Sequence, residues 1–456
     1  MITIKSSSII VPSEPTPSRI LWLSESDQMM QCNHEPLIFM YKPNNNNDDS
    51  ILPFSYETMK TSLSRALVHY YPLAGRLRWA QGDRFELDCN AKGAILLEAY
   101  SESEMDDLGD FAPTEAIHDL VPKVDYTTPI EEWPLLLVQV TRFRCGGICV
   151  GIAISHTVVD GSSVASFISS WAKLARGVNL RPEEIPFEDR TLLQSRQPLT
   201  PPRFDHIEFS KPPLLIGSLD TKAEQKKKTS VALLKVTRAQ VDGLRKKAKI
   251  SNDETNMVKP IPYTQYEAIA SHIWRCACKA RAGDDRQPTR VRIVVDIRNR
   301  LKPPLPRGYF GNAIFPTVTS THLYGELLSK PLSYAAGVIK EASDRMTDEY
   351  IRSALDFVTS QEKASSLRIN VVIQGNAEAS FPGNPNLVIA SWIKLPFHVA
   401  DFGWGKPLYG GPGMLTVEGK SFIMSSAAND GSLIIALCLQ TQCMDSFKKF
   451  FYEDMI

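Results

Sequence analysis

Net charge, long apolar runs and zinc-type cysteine pairs are all missing from this sequence. Its 456 residues contain 51 basic and 51 acidic side chains, so no overall field draws the chain to nucleic acid or an anionic membrane. No stretch approaches the roughly 18 apolar residues of a membrane span, and the first residues lack the apolar core of a secretory signal. We therefore expect a cytoplasmic protein that binds small molecules, with neither membrane nor nucleic acid as a partner.

Metal and nucleotide motifs are missing too. The eight cysteines form no paired CxxC units, which favours buried reduced thiols, and no two of the eight histidines stand four residues apart. Gly419, Lys420 and Ser421 resemble the end of a phosphate-binding loop, but its first glycine position holds Met414. There is no GxSxG nucleophile elbow. We expect no bound metal and no bound cofactor.

What the sequence does contain is two halves of similar construction. The apolar content of 43% is typical of a globular chain, and strand-like and helix-like segments alternate in both halves. A proline-rich stretch, RQPLTPPRFDHIEFSKPP, separates them. We predict a mixed α/β fold with two domains, residues 1–195 and 226–456, joined by a crossover loop at 196–225.

The segment HTVVDG, residues 156–161, lies between a predicted strand and a predicted helix. PLLLVQVTRF and ICVGIAIS flank a CGG turn and predict a hairpin that ends at His156. After Gly161, the apolar residues of SSVASFISSWAKLARG have helical spacing, and Gly177 ends the predicted helix. His156 is therefore expected on a turn from strand to helix.

His156 is the leading candidate for chemistry, with a structural alternative. A free imidazole has a pKa near ~6.5 and can accept a proton from a nucleophile at neutral pH. A lone histidine at a strand end is more often structural. Asp160 could orient His156 as in a triad or hold the turn through an ion pair, and the glycine after it favours the ion pair. HTVVDG alone leaves both roles of His156 open.

A second segment, ADFGWGKP at residues 400–407, sets Trp404 between two glycines, which let the backbone approach closely and present an indole N–H. HTVVDG followed by DFGWG resembles the BAHD family of plant acyl-CoA-dependent acyltransferases. The likeness covers essentially the whole chain, through YYPLAGRL, QVTRFRCGGI, HIWRCACKAR and PPLPRGYFGN. Within the family it is most similar to the spermidine hydroxycinnamoyl transferases, through segments such as SSSIIVPSEPT, RFELDCNAKG and GNPNL.

The resemblance implies two domains of chloramphenicol-acetyltransferase type, with a channel between them that acyl-CoA and acceptor enter from opposite sides. His156 would face this channel as general base. Asp160 would pair with an arginine, for which Arg298 is the first candidate and Arg300 the second. Gly161 would shape the turn.

The resemblance assigns roles at the C-terminal motif as well. Asp401 would belong to a structural element on the CoA side, and Trp404 would donate a hydrogen bond to the developing oxyanion. Ser391 and Trp392, in ASWIKLP, match a hydroxyl-plus-tryptophan segment near the reaction centre. Acyl transfer from a thioester needs a base and an oxyanion donor but no covalent enzyme intermediate, because CoA is already a good leaving group.

Acceptor-pocket candidates follow from two further segments. His34, Glu35 and Phe39 lie in NHEPLIF, beside the family's acceptor-lining segment, and Glu35 could hold an ammonium group, although a solvated glutamate is the simpler alternative. Relatives that use shikimate or quinate carry an arginine in a VRG segment, where this sequence has Gln374. An acidic acceptor is therefore disfavoured.

The sequence predicts a monomeric enzyme that moves a hydroxycinnamoyl group from its co-substrate acyl-CoA to an amine of spermidine or a similar polyamine. The nearest alternative is an O-acyltransferase for a neutral alcohol or an alkaloid. A ligand-binding homologue without turnover is another, against which the intact motifs argue. A peptide-assembly condensation domain is the last, and Ser155 stands where many such domains have a second histidine.

Overall fold

The computed structural model describes residues 1–43, 54–217, 223–224, 226–249, 263–368 and 383–455. Its strands are β1 (Ile2–Ile10), β2 (Ile20–Trp22), β3 (His34–Tyr41), β4 (Arg76–Ala80), β5 (Arg84–Asp88), β6 (Ala94–Ser101), β7 (Leu136–Phe143), β8 (Ile148–Ser155), β9 (Thr229–Val236), β10 (Pro288–Thr289), β11 (Val291–Asp296), β12 (Ile314–Val318), β13 (His322–Leu323), β14 (Leu387–Trp392), β15 (Tyr409–Pro412), β16 (Lys420–Ser425) and β17 (Leu433–Gln440).

The α-helices are α1 (Glu25–Gln28), α2 (Tyr56–His69), α3 (Glu115–His118), α4 (Gly161–Ala175), α5 (Arg238–Lys249), α6 (Gln265–Arg281), α7 (Tyr324–Ser329), α8 (Leu332–Asp344), α9 (Asp348–Ser360) and α10 (Thr441–Glu453). In the part of the chain that the structure describes, no helix combines the length and apolar character of a membrane span. All eight cysteines are free.

Two six-stranded mixed sheets organise the molecule. The first has the order β1-β6-β7-β8-β3-β15, and the second has the order β12-β11-β14-β16-β17-β9. The mixed α/β fold predicted from the sequence is confirmed. Strand β15 follows most of the second sheet in the chain, yet it pairs with β3 in the first. The domain limits at residues 195 and 226 remain a prediction, and β15 crosses between the two sheets.

The hairpin β7–β8 forms where the apolar runs predict it, with Gly146 at a φ of +85° in its turn. Alternate β8 residues enter two different cores: Ile152 and Ile154 pack with α4, whereas Cys149 and Ala153 pack on the opposite face. Because both faces are covered, the strand reads as a continuous apolar run rather than an alternating one.

The helix starts follow their sequence signals. Thr264 and Glu267 have the spacing of a capping box and form one at the start of α6, each side chain bonding the other residue's backbone N–H. Thr237 and Gln240 make the same reciprocal bonds before α5. At α4 the cap is Asp160, whose carboxylate accepts from Ser163 N at 3.0 Å. The last residue of HTVVD therefore starts the helix that follows the turn.

Candidate active site

His156 directly follows β8 and is half-buried. Its backbone N–H donates to Asn33 O at 2.9 Å, which fixes the residue beside the start of β3. Its imidazole Nδ1 lies 3.1 Å from Val159 O. Because a carbonyl oxygen only accepts hydrogen bonds, Nδ1 must carry the proton in this contact. The other ring nitrogen, Nε2, is then left with a free lone pair, which is the state that a general base requires.

Asp160 does not contact this imidazole. Arg298 donates to both of its carboxylate oxygens, from Nη1 at 2.7 Å and from Nη2 at 3.0 Å, and Ala313 N donates at 2.9 Å. Burial raises the pKa of Asp160, but Arg298 and the two backbone N–H groups outweigh it, and the net pKa lies below the usual range. Arg300 bonds elsewhere, to Ser343. The carboxylate thus closes the turn and is not part of a triad.

Gly161 is required by a close approach rather than by an unusual backbone angle. A Cβ atom at this position would lie 2.7 Å from Cδ1 of Leu395. Leu395, three residues after Trp392, therefore lies directly against the start of α4. Leu395 is a residue of the site that the sequence patterns did not single out, because an isolated leucine carries no chemical signal.

The DFGWG loop lies at the opposite end of α4. Asp401 Oδ1 accepts from Gly403 N at 2.8 Å and from Gly405 N at 3.0 Å, and both glycines have a positive φ. Asp401 Oδ2 lies 3.1 Å from Arg176, the residue after the last turn of α4. Fifteen helical residues separate this end from Gly161, a length of about 22 Å at 1.5 Å per residue. The loop holds the far end of α4 against the first sheet.

The prediction that Trp404 donates to the oxyanion is wrong. Its indole packs on Tyr41 and Phe402, with ring centres 5.3 and 5.5 Å apart. Tyr41 pairs with Ile148, eight residues before His156 along β8, which is about 26 Å at 3.3 Å per residue. A hydrogen bond needs a separation near 3 Å. Trp404 is a core residue at the C-terminal end of α4, where its indole contributes by apolar packing rather than by hydrogen bonding.

Two acceptor-pocket predictions on β3 are also corrected. His34 is buried, with Nδ1 2.9 Å from Tyr126 Oη and Nε2 2.7 Å from Pro134 O, so neither ring nitrogen is available to a ligand. Burial lowers its pKa to about 4, and the bond to Pro134 offsets only part of this effect. Phe39 is fully buried against Phe397 and supports the wall from behind.

Glu35 does face the site. It lies on the same face of β3 as Leu37, which packs with the α4 core, and its register partner is Ile154. His156, two residues beyond Ile154, is its diagonal neighbour, a relation that typically separates Cβ atoms by about 7–8 Å. Glu35 Oε1 lies 3.7 Å from Nζ of Lys420, at the start of β16 in the other sheet. An ion pair thus joins the two sheets beside His156.

Lys420 is a residue of the site that sequence patterns did not identify. In the sequence it stands in a GKS triplet, which resembles only the end of a phosphate-binding loop. No local pattern links it to Glu35, 385 positions away. Its ammonium also lies 4.9 Å from the ring centre of Phe422. Alternating residues of β16 share a face, so Lys420, Phe422 and Met424 line one side of the second sheet.

Ser391 and Trp392 end β14 beside that face. The Trp392 ring lies 4.2 Å from the ring of Phe422 and 5.5 Å from that of Phe397. Ser391 is exposed. A cavity lies here between strands of both sheets, and its walls include Trp392, Leu395, Phe397, His398, Gly410 and Met424. Gln374 lies outside the described residues, so its predicted place in the acceptor pocket stays a prediction.

Comparisons with known proteins identify the family of this chain. A model of the Transferase family matches residues 1–454. The chain belongs to the BAHD family of acyltransferases. A hydroxycinnamoyl-CoA:piscidic acid hydroxycinnamoyltransferase of Actaea racemosa is 46% identical over 100% of both chains. A hydroxycinnamoyl-CoA:5-hydroxyanthranilate N-hydroxycinnamoyltransferase of Avena sativa is 38% identical over 99% of both.

Solved structures share the fold of this BAHD chain. Vinorine synthase superposes with a TM-score of 0.70 at 20% identity, covering 98% of this chain and 96% of the other. The F. graminearum TRI101 protein complexed with coenzyme A and deoxynivalenol gives a TM-score of 0.73 at 17% identity, covering 95% and 97%. These likenesses establish the two-sheet architecture, and the residue roles rest on the geometry above.

Proposed function

We propose that this chain transfers a hydroxycinnamoyl group from CoA to a small acceptor, with His156 as general base and without a covalent intermediate. The observation that carries the proposal is the Nδ1–Val159 O contact, which leaves Nε2 of His156 free to accept a proton. Family membership and the donor named for both curated relatives support the acyl-CoA part. Acyl-CoA acts as a co-substrate, and no cofactor is required by this chemistry.

In the proposed reaction, Nε2 of His156 takes the proton of the acceptor's hydroxyl or amine as its heteroatom attacks the thioester carbonyl. The C–S bond then breaks, and the proton held by Nε2 passes to the leaving CoA thiolate. The Val159 carbonyl stabilises the protonated imidazole that exists between these two steps. Trp392, at the end of β14, replaces Trp404 as the proposed oxyanion donor, because Leu395, three residues after it, lies against Gly161 at the start of α4, five residues from His156 in the sequence.

For the acceptor we retain spermidine or a similar polyamine as the leading proposal. Gln374 in place of the arginine of acid-using relatives supports it, and so does the position of Glu35 beside the base. An ordinary primary ammonium has a pKa several units above that of imidazole, so the reacting amine must bind in its neutral form. Glu35 could then hold a remaining ammonium group of the polyamine, after that group displaces Lys420.

One specific observation favours a second candidate, an acceptor that carries a carboxylate. The Glu35 carboxylate is already within 3.7 Å of Lys420, so its charge is balanced in the structure. Lys420 is the more exposed member of the pair, at 28% against 16% for Glu35, and could bind an acid group instead. The acceptors named for the two relatives, piscidic acid and 5-hydroxyanthranilate, are acids.

An acceptor panel with two matched variants tests the proposal. Purified protein is incubated with p-coumaroyl-, caffeoyl- and feruloyl-CoA against spermidine, piscidic acid, 5-hydroxyanthranilate, shikimate and neutral alcohols, and products are identified by mass spectrometry. If spermidine is the acceptor, Glu35→Gln should raise its KM about tenfold, the scale of one charge-assisted hydrogen bond, while Lys420→Gln should not.

The acid candidate gives the opposite result, because Lys420→Gln should then raise the KM of the acidic acceptor and Glu35→Gln should not. Ester or amide products from acids alone would reject the polyamine proposal. Absence of CoA release with every donor and acceptor would reject acyl transfer itself and favour a ligand-binding homologue.

A further inference from the structure

The turn that carries His156 is held by side chains from outside it. Asn312 Nδ2 donates to His156 O at 3.0 Å and to Thr157 O at 3.2 Å. Arg190 Nη2 donates to Val158 O at 2.9 Å. The next carbonyl, Val159 O, accepts the hydrogen bond from the imidazole itself. Four consecutive carbonyls of the turn therefore have assigned donors, and three of these bonds come from remote residues.

Asp27 links the two donors into one cluster. Its Oδ1 accepts from Asn312 Nδ2 at 2.8 Å and from Asn312 N at 2.9 Å, and it lies 2.9 Å from Arg190 Nη1. Its Oδ2 accepts from the backbone and the hydroxyl of Ser24. Asp27, Arg190 and Asn312 are each at most 3% exposed. They come from α1, from a turn after α4 and from the residue two before β12, so three chain segments fix one short turn.

We propose that Asp27, Arg190 and Asn312 are positioning residues for the catalytic imidazole. The orientation of the ring depends on where Val159 O points, and that direction depends on the peptide planes of residues 156–158. Loss of their donors would let these planes rotate, weaken the Nδ1–Val159 bond and admit the tautomer that has its proton on Nε2. That tautomer has no lone pair on Nε2, so Nε2 cannot accept the proton of the acceptor. This inference rests on the proposed role of His156.

Stability alone does not account for these contacts. A second buried ion pair joins Arg281 to Glu418, whose side chains are 3% and 6% exposed. Like Arg190, Arg281 contacts both a carboxylate and a backbone carbonyl: it donates to Glu418 at 2.8 Å and to Asn386 O at 3.3 Å. Its partners lie outside the His156 turn. Arg281→Met therefore matches the stability cost of a broken buried ion pair without touching the turn, and it serves as the control.

The test uses Asn312→Ala and Arg190→Lys. Asn312→Ala removes the donor to two carbonyls, whereas Arg190→Lys keeps a cation beside Asp27 but cannot also reach Val158 O through a second planar N–H. Measured values are kcat and KM for the acyl-CoA and the acceptor, the melting temperature, and the tautomer of His156 by ¹⁵N NMR of histidine-labelled protein. The His156→Ala protein assigns the resonance.

We expect kcat to fall at least tenfold in both variants, since misplacement of a catalytic group by about 1 Å can cost up to ~10²-fold. The KM for acyl-CoA should stay within about threefold, and the His156 resonance should show a new population protonated on Nε2. Arg281→Met should lower the melting temperature while its kcat stays within about twofold of wild type.

Two outcomes would overturn the proposal. One is a folded Asn312→Ala or Arg190→Lys protein with kcat within about twofold of wild type. The other is an unchanged His156 tautomer in both variants. If Asn312→Ala does not fold, Arg190→Lys decides alone. The NMR arm needs no turnover, so it separates failure of positioning from failure of the proposed reaction, which would appear as an inactive wild-type protein.

Discussion

The two ends of α4 use the same device for different purposes. At its start, Asp160 pairs with Arg298, and at its end Asp401 pairs with Arg176. Each carboxylate also accepts two backbone N–H bonds. Those on Asp401 come from its own loop, whereas those on Asp160 come from Ser163 in the first turn of α4 and from the distant Ala313. The start is buried, with Asp160 fully enclosed, whereas the end is partly open to solvent. The start of α4 is also the end that follows the turn of His156, whose Nδ1 bonds Val159 O, so the proposed chemistry belongs to that end.

The largest difference between the two ends should appear in turnover. We expect His156→Ala to lower kcat by at least ~10²-fold, the usual scale of a lost general base, with CoA binding retained. The measurement is CoA thiol release, together with calorimetric titration of CoA. Asp401→Asn at the far end is the control and should keep kcat within a few-fold. Near-normal turnover of His156→Ala would show that the imidazole is structural.

The next effect should appear in stability. Arg298→Met leaves the buried Asp160 charge without its partner and should destabilise the fold by about 3–5 kcal/mol. Arg176→Met, at the exposed pair, should cost at most ~1 kcal/mol because solvent screens its charges. Chemical denaturation of both variants measures this contrast. Equal losses would mean that burial does not distinguish the two ends.

The correction of Trp404 gives a smaller but more specific effect. Trp404→Phe should lower the melting temperature by a few degrees and leave kcat within about threefold, because this indole only packs at the far end. Trp392→Phe, at the near end, should lower kcat by ~10²-fold if its N–H meets the oxyanion. Steady-state kinetics of the two variants decide the matter, and the reverse ranking would restore Trp404 as the donor.

The smallest effect concerns acid stability at the two ends of β3. His34, at the base end, has a pKa of about 4 in the folded state, against ~6.5 when unfolded. The unfolded chain therefore binds the extra proton first, and stability falls as the pH drops from about 6.5 towards 4. Between pH 7 and 5 this one group should cost about 2 kcal/mol.

His34→Gln should flatten that part of the stability curve, as measured by urea unfolding at a series of pH values. The buried His272 in α6, whose pKa burial also lowers to about 4, should continue to contribute. Tyr41→Phe at the far end of β3 is the control and should leave the slope unchanged. An unaltered slope in His34→Gln would contradict the assigned burial effect.

The local elements around the site could be predicted from sequence because their signals are local. Continuous apolar runs, capping residues and the CGG turn give the hairpin, the helix start and the position of His156 on the turn between them. Arg298, which follows strand β11, forms the ion pair with Asp160 that the family resemblance implies. Arg300, the second candidate, does not form it. Asp160 and Arg298 are 138 positions apart in the sequence, and among the sequence features only the family resemblance links them.

Other assignments needed distances. Trp392 and Trp404 lie three and nine residues from Leu395 in the sequence, and no local pattern states which of them is near His156. His34 and Glu35 are adjacent, yet the strand turns one inward to Tyr126 and the other towards Lys420. One residue of strand register decides between a structural histidine and a pocket carboxylate.

Residue types at short range were enough to indicate the family, to predict the strand-to-helix turn and to nominate His156 as the base. Three-dimensional contacts were needed to show that Nδ1 of His156 bonds Val159 O, that Trp404 packs at the far end of α4, and that Glu35 pairs with Lys420. The first contact depends on the exact shape of a turn, and the other two join residues hundreds of positions apart that meet only when the chain is folded.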